Sequence, residues 1–131
     1  MRQAVVLHHR LPGPTDSHFD WLLERAAGDD EEERALAAFR VDRFDTLFAP
    51  GVFQAARIQD HRRRYLTYEG RISDGRGTVE RVASGRILEF DERPNLIDVR
   101  INWGDAVMVY RGRLGPQEGT WTFTAMLDER R

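Results

Sequence analysis

Apolar and polar residues alternate with a period of two along most of the chain, which is the spacing of a strand that buries one face. Eight segments carry this alternation and are rich in β-branched and aromatic side chains: residues 3–8, 18–24, 36–41, 78–82, 86–90, 97–103, 107–114 and 120–127. Turn chemistry separates them at Pro12-Gly13-Pro14, Asp74-Gly75, Gly104-Asp105 and Gly115-Pro116 with Gly119, while Ser84-Gly85 and Arg93-Pro94-Asn95 close the shorter links. Helix is scarce. The acidic start of 29–38 suits a helix N-terminus, but it lies between two strand patterns and reads more simply as a solvated loop. Residues 53–58 read as one helical turn. Many short strands with Gly and Pro turns predict an all-β fold, a small antiparallel β-barrel of about eight strands with little helix, because closure removes exposed edges.

The 131 residues suit one domain, and no linker or repeat divides them. The apolar runs are interrupted every few residues, so neither a transmembrane helix nor a signal-peptide core can be placed, and a soluble, cytoplasmic protein with no membrane partner is expected. The chain has no Cys, which removes disulfides, thiolate zinc sites and cysteine nucleophiles; any metal must be held by His and carboxylates. A net charge of −2 argues against coating nucleic acid by bulk charge. The basic residues are all Arg, so there is no Schiff-base chemistry, and phosphate or carboxylate recognition must use guanidinium forks.

Three of the four histidines, His8, His9 and His18, fall near the start. On a strand, His18, Asp20, Leu22 and Glu24 share one face and Phe19, Trp21 and Leu23 the other; the aromatic face belongs to a core. The polar face then presents an imidazole and a carboxylate side by side. His9, at the end of the preceding strand, is the expected third ligand, because His8 alternates to the opposite face. Two His and one Asp leave open positions on a divalent ion, as a catalytic site requires; ordinary polar groups on a wetted sheet face are the other reading. A second constellation, Asp60-His61-Arg62-Arg63-Arg64-Tyr65, offers an acid/base imidazole, a phenol and a run of guanidiniums able to hold an oxyanion, or else a solvated basic loop. Arg40 and Arg43 form a further basic cluster. Gly75-Arg76-Gly77-Thr78 marks a turn whose amides can approach a phosphate.

Val6-Leu7-His8-His9 followed by His18-Phe19-Asp20-Trp21-Leu22-Leu23-Glu24 resembles the opening signature of the 3′-phosphoesterase domain family of bacterial DNA ligase D, in which a His precedes a His-aromatic-Asp-x-Arg-x-Glu strand. Leu36-Ala37-Ala38-Phe39-Arg40-Val41-Asp42-Arg43 is similar to that family's short strand ending in a basic residue. Asp60 to Gly70 is similar to its Asp-His-x-x-x-Tyr-x-x-x-Glu-Gly segment, and Gly77-Thr78-Val79 and Gly119-Thr120-Trp121 to its later strands. The resemblance runs in order through nearly the whole chain. It implies a single 3′-phosphoesterase-like β-barrel domain over 1–131 that binds a divalent metal, Mn2+ above all. The implied activity trims phosphate or a terminal ribonucleotide from DNA 3′ ends in DNA repair, with a DNA ligase or other repair proteins as partners. Carried over by position, His9, His18 and Asp20 are metal ligands, His61 and Tyr65 contact the phosphate or assist its departure, and Arg43 is an outer phosphate contact.

Leu22 departs from this pattern, standing where the family has a phosphate-binding Arg; Arg57, Arg62 or Arg64 are the candidates to replace that cation. The departure leaves open a different phosphoester substrate, or a relative that kept the barrel and lost the activity: a non-catalytic binding module for phosphorylated ends or a repair partner. His18-x-Asp20 with His61 also fits the two-His-one-carboxylate triad of non-haem iron oxygenases, for which the chain is short.

Overall fold

A computed structural model describes residues 1–13 and 17–129; Pro14, in the predicted Pro12-Gly13-Pro14 turn, lies outside the described residues. The chain is mostly strand: β1 (Gln3–Arg10), β2 (Ser17–Glu24), β3 (Leu36–Val41), β4 (Gly51–His61), β5 (Gly70–Arg71), β6 (Thr78–Glu92), β7 (Leu96–Asn102), β8 (Val107–Leu114) and β9 (Thr120–Leu127), with two short 3-10 turns at Phe44–Leu47 and Arg63–Leu66. All pairings are antiparallel, in the order β1-β2-β3-β4-β9-β8-β7-β6-β5. An additional β1–β6 pairing closes eight of the strands into a ring, with β5 attached to β6 outside it. The chain is all-β with little helix, as predicted, and where a barrel of about eight strands is expected it forms one nine-stranded antiparallel sheet of which eight strands make a ring.

The alternating apolar positions fill the ring. Trp21 lies at the centre, its ring 4.8 Å from that of Tyr110, 5.2 Å from Phe123 and 6.0 Å from Phe39, and Val6, Leu23, Val99, Ile101 and Met108 pack in the same cluster. Phe19, Trp21 and Leu23 all face this core, as the strand pattern requires.

Two expectations are corrected. Residues 53–58 are not a helical turn but the middle of the eleven-residue strand β4, hydrogen-bonded to β3 on one side and β9 on the other, with Phe53 and Ala55 turned into the core. His61 therefore ends a strand and is not on a loop. The segments 78–82 and 86–90 are one strand, and Ser84-Gly85 links nothing: the first half of β6 pairs with β1 and the second half with β7. Gly85 is at the changeover, where an added Cβ would stand 2.8 Å from the Asn102 carbonyl oxygen and 2.9 Å from the Trp103 ring. A glycine there reads as a turn signal in sequence, yet it serves a close strand approach.

The outer face of β1–β3 is also apolar. Val5, Leu7, Leu22, Leu36 and Ala38 form a second cluster with Val79, roofed by Leu66, Tyr65, Tyr68 and Ile72 from the segment that follows β4. β2 thus has both faces covered, and the wetted-face reading of His18, Asp20, Leu22 and Glu24 fails: all four are buried. This roof is what builds a cavity over the sheet.

Candidate metal centre and its cavity

His9 and His18 are directly opposite one another in the β1–β2 ladder, so their side chains leave the sheet on one face. Asp20 follows His18 by two residues and shares that face. The Asp20 carboxylate lies between the imidazoles, with Oδ1 2.9 Å from His18 Nε2 and Oδ2 3.2 Å from His9 Nδ1. The two rings are edge-on, with centroids 4.7 Å apart. One donor atom from each residue falls within 4.8 Å of the others, the grouping of a metal centre among the described residues. His8 alternates away and stacks on Phe19 at 4.7 Å, and burial pushes its imidazole pKa down.

These contacts are close but not aligned as hydrogen bonds: His9 Nδ1, His18 Nδ1 and Asp20 Oδ1 are buried without a hydrogen-bond partner. The His9 Nε2–H donates to the Arg76 carbonyl at 2.7 Å, since a carbonyl only accepts. That bond selects the tautomer in which Nδ1 carries a lone pair facing the carboxylate. Two acceptors 3.2 Å apart require a cation between them, either a proton or a metal ion. Without a metal, the Asp20 contact outweighs burial and raises the His9 pKa. Burial pushes the Asp20 carboxyl up, but the His18 and His9 imidazoles beside it outweigh that and hold it at about 2. Two imidazoles and a carboxylate, one imidazole oriented by a backbone carbonyl, are a donor set that fits a first-row divalent ion.

The Arg76 carbonyl is held in place by its neighbour. Gly77 has φ 91°, and a Cβ there would stand 1.9 Å from the Arg10 carbonyl oxygen on β1. Only glycine lets this turn lie against β1 and deliver the carbonyl to His9.

The triad forms part of a cavity of about 240 Å³ that is also lined by His61, Arg62 and Tyr65, with Arg34, Gln59 and Arg76. His61 Nδ1–H donates to the Gln59 carbonyl at 2.8 Å, which leaves Nε2 as the proton-accepting nitrogen, and its ring meets Tyr65 edge-on at 5.7 Å. The structure therefore brings together His9, His18, Asp20, His61, Tyr65 and Arg62 from β1, β2, the end of β4 and the turn after it. The metal-type group forms with His9 and not with the distal His61.

Arg43, Arg57 and Arg64 are not among the residues lining this cavity. Arg43 is exposed and paired with Asp45 at 3.1 Å. Arg57 packs over the Phe39 ring and pairs with Glu92 at 2.8 Å, in a cluster where Arg25 also grips Glu92 and Asp60. Arg64 lies over the Tyr68 ring. Arg63 is buried: its guanidinium bonds Glu24 at 2.8 Å, Glu33 at 3.0 Å and the carbonyls of Ala26 and Asp30. The acidic run 29–33 is thus partly the counter-surface of the basic run 62–64, with Glu32 within 4 Å of both Arg62 and Arg64.

Arg34 and the Arg76 carbonyl escaped the sequence reading. Arg34 follows five exposed acidic and polar positions and carries no motif; it enters the cavity by donating to the Asp60 carbonyl at 2.9 Å. The glycine before and after Arg76 signalled a turn but not its partner. Among the described residues, no helix is long and apolar enough to cross a membrane. Compared with models of known protein families and with curated proteins, the chain matches none.

Proposed function

We propose that the protein is a divalent-metal-dependent phosphoesterase acting on phosphorylated or ribonucleotide-bearing DNA 3′ ends. The observation that carries this reading is the convergence on one cavity of the His9–His18–Asp20 donor set, an imidazole with a free nitrogen at His61, a phenol at Tyr65 and the guanidinium of Arg62. The choice of nucleic-acid 3′ ends and of manganese rests on the ligase D resemblance. A bound divalent ion supplies polarisation of a phosphoryl oxygen and a water of lowered pKa.

The protein's own groups supply the rest. Arg62 and Arg34 offer N–H donors to the remaining phosphoryl oxygens. His61, its Nδ1–H anchored on Gln59, keeps Nε2 free to take up a proton. As a water oxygen bonds to phosphorus, the water gives a proton to His61 Nε2, and the imidazolium so formed passes it to the departing 3′ oxygen as the ester P–O bond breaks. Tyr65 packs against the imidazole and keeps its ring in place.

One observation favours a second reading, a binding module without turnover. Leu22, at the position of the family's arginine, is fully buried in the apolar cluster, so no guanidinium enters the site from that strand. Chelator-stripped protein reloaded with Mn2+ and given a 3′-phosphorylated oligonucleotide separates the two. Phosphate release that vanishes in Asp20→Ala and His61→Ala supports the enzyme. Metal-dependent binding without release leaves the module, and failure to take up any divalent ion overturns the metal centre.

A further inference from the structure

Asp20 and Arg40 are registered partners across β2 and β3, so both side chains leave the sheet on the face that carries the triad, with Cβ atoms about 5 Å apart. An arginine so close to a carboxylate ordinarily pairs with it. Here the two Asp20 oxygens face His9 and His18, and no ion pair joins Asp20 to Arg40. The Arg40 residue is exposed, and its side chain makes no hydrogen bond or ion pair with any described residue. Five other arginines differ: Arg25, Arg57, Arg62, Arg63 and Arg64 each have a carboxylate within 4 Å.

An unpaired surface arginine is unremarkable by itself. This one stands in the register position next to the metal-type carboxylate, yet it is not among the residues lining the cavity that holds His61 and Arg62. Arg40 is thus one strand away from Asp20 on the face of the triad but outside the lining of its cavity.

We propose that Arg40 binds the phosphodiester adjoining the reacting 3′ group, so that the substrate is a nucleic-acid end carrying at least two successive phosphates and not a nucleoside monophosphate. This rests on the phosphoesterase reading above. The Arg40 N–H groups donate to the non-bridging oxygens of that second phosphate, and no covalent step is involved.

The test uses Mn2+-loaded full-length protein, a single-stranded 3′-phosphorylated oligonucleotide and a nucleoside 3′-monophosphate. Arg40→Ala is expected to weaken oligonucleotide binding about tenfold and to shrink the preference for the oligonucleotide over the monophosphate by the same factor. The slope of log Kd against log salt concentration should fall by about 0.7, the value of one single-strand phosphate contact. Arg40→Lys, which keeps the charge, should retain the slope. Because Arg40 is exposed, neither variant removes core packing. An Arg40→Ala protein with wild-type affinity, preference and slope overturns this proposal alone. A wild-type protein that binds and turns over neither ligand overturns the phosphoesterase reading and this one with it.

Discussion

Glu24 and Arg63 meet inside the protein, with Oε2 2.8 Å from Nε, and Glu24 belongs to the same face of β2 as His18 and Asp20. One strand face therefore carries the metal-type donors at one end and, at the other, the anchor of the turn that follows His61. Arg63 ties that turn to the loop after β2 through Glu33 and two carbonyls. Removing the guanidinium leaves Glu24 buried without its charge partner and frees the turn carrying Tyr65. Arg63→Ala is expected to lower Tm and to cut phosphate release about 100-fold, the cost of a reacting geometry displaced by an ångström. Mn2+ affinity, set by β1 and β2, should change far less. Calorimetric metal titration beside an activity assay reads the two effects apart.

Leu22 is fully buried among Val5, Leu36, Ala38 and Leu66. The position is closed to a charge in this protein. Leu22→Ala should cost about 2–5 kcal/mol of stability through the cavity it leaves. Leu22→Arg should also lower Tm and should not raise phosphate affinity, because a guanidinium in that cluster has no carboxylate partner and disrupts the roof. Thermal unfolding of both variants, with phosphate affinity measured on whichever remains folded, checks this; tighter phosphate binding by Leu22→Arg would show that the position opens to the site.

Gly77 acts on the metal centre through His9. An alanine there must move away from the Arg10 carbonyl, and the Arg76 carbonyl that orients His9 moves with it. Loss of such an outer contact lowers metal affinity by about 10–100-fold. Gly77→Ala is expected to show that loss, while Gly75→Ala, where an added Cβ meets nothing, should leave the Arg76 carbonyl in place despite backbone strain at φ 66°. Mn2+ affinities of the two variants make the comparison.

What was legible in the chain follows from which interactions are local. β8, β9 and β3 have the bounds the alternation predicts, and His9, His18 and Asp20 converge as strand geometry requires, because a period of two and a short-range ladder decide both. β4 was hidden. Its polar residues Gln54, Arg57, Gln59 and Asp60 interrupt the apolar pattern, and its strand state is imposed by β3 and β9 on either side. The joining of 78–82 to 86–90 was hidden for the same reason: Gly85 pairs with Ala4 on β1 and lies close against Asn102 and Trp103, distant contacts that no local pattern records. Arg63 resembles its neighbours Arg62 and Arg64 in sequence, and only the fold of the 24–33 loop selects it for burial.

Asp20, with the His18 and His9 imidazoles beside it, sets a pH dependence for the metal-free protein. The Asp20 carboxyl is held at about 2, below its ordinary 3.8, so its contribution to stability is present above the ordinary value and is lost as pH falls toward 2. A depression of this size corresponds to about 2 kcal/mol. The His9 pKa is raised, so its contribution is present below the ordinary 6.5 and is lost as pH rises through the folded value. Chelator-treated protein should therefore have its highest Tm between about pH 4 and 6.5, and Asp20→Asn should flatten both flanks. Metal binding requires His9 deprotonated, so added Mn2+ competes with the proton and its stabilisation must grow as pH rises above that window. Tm measured across pH with chelator and with Mn2+ should give two curves that diverge on the alkaline side. Curves that stay parallel from pH 5 to pH 8 would show that no ion competes for the His9–Asp20 contact.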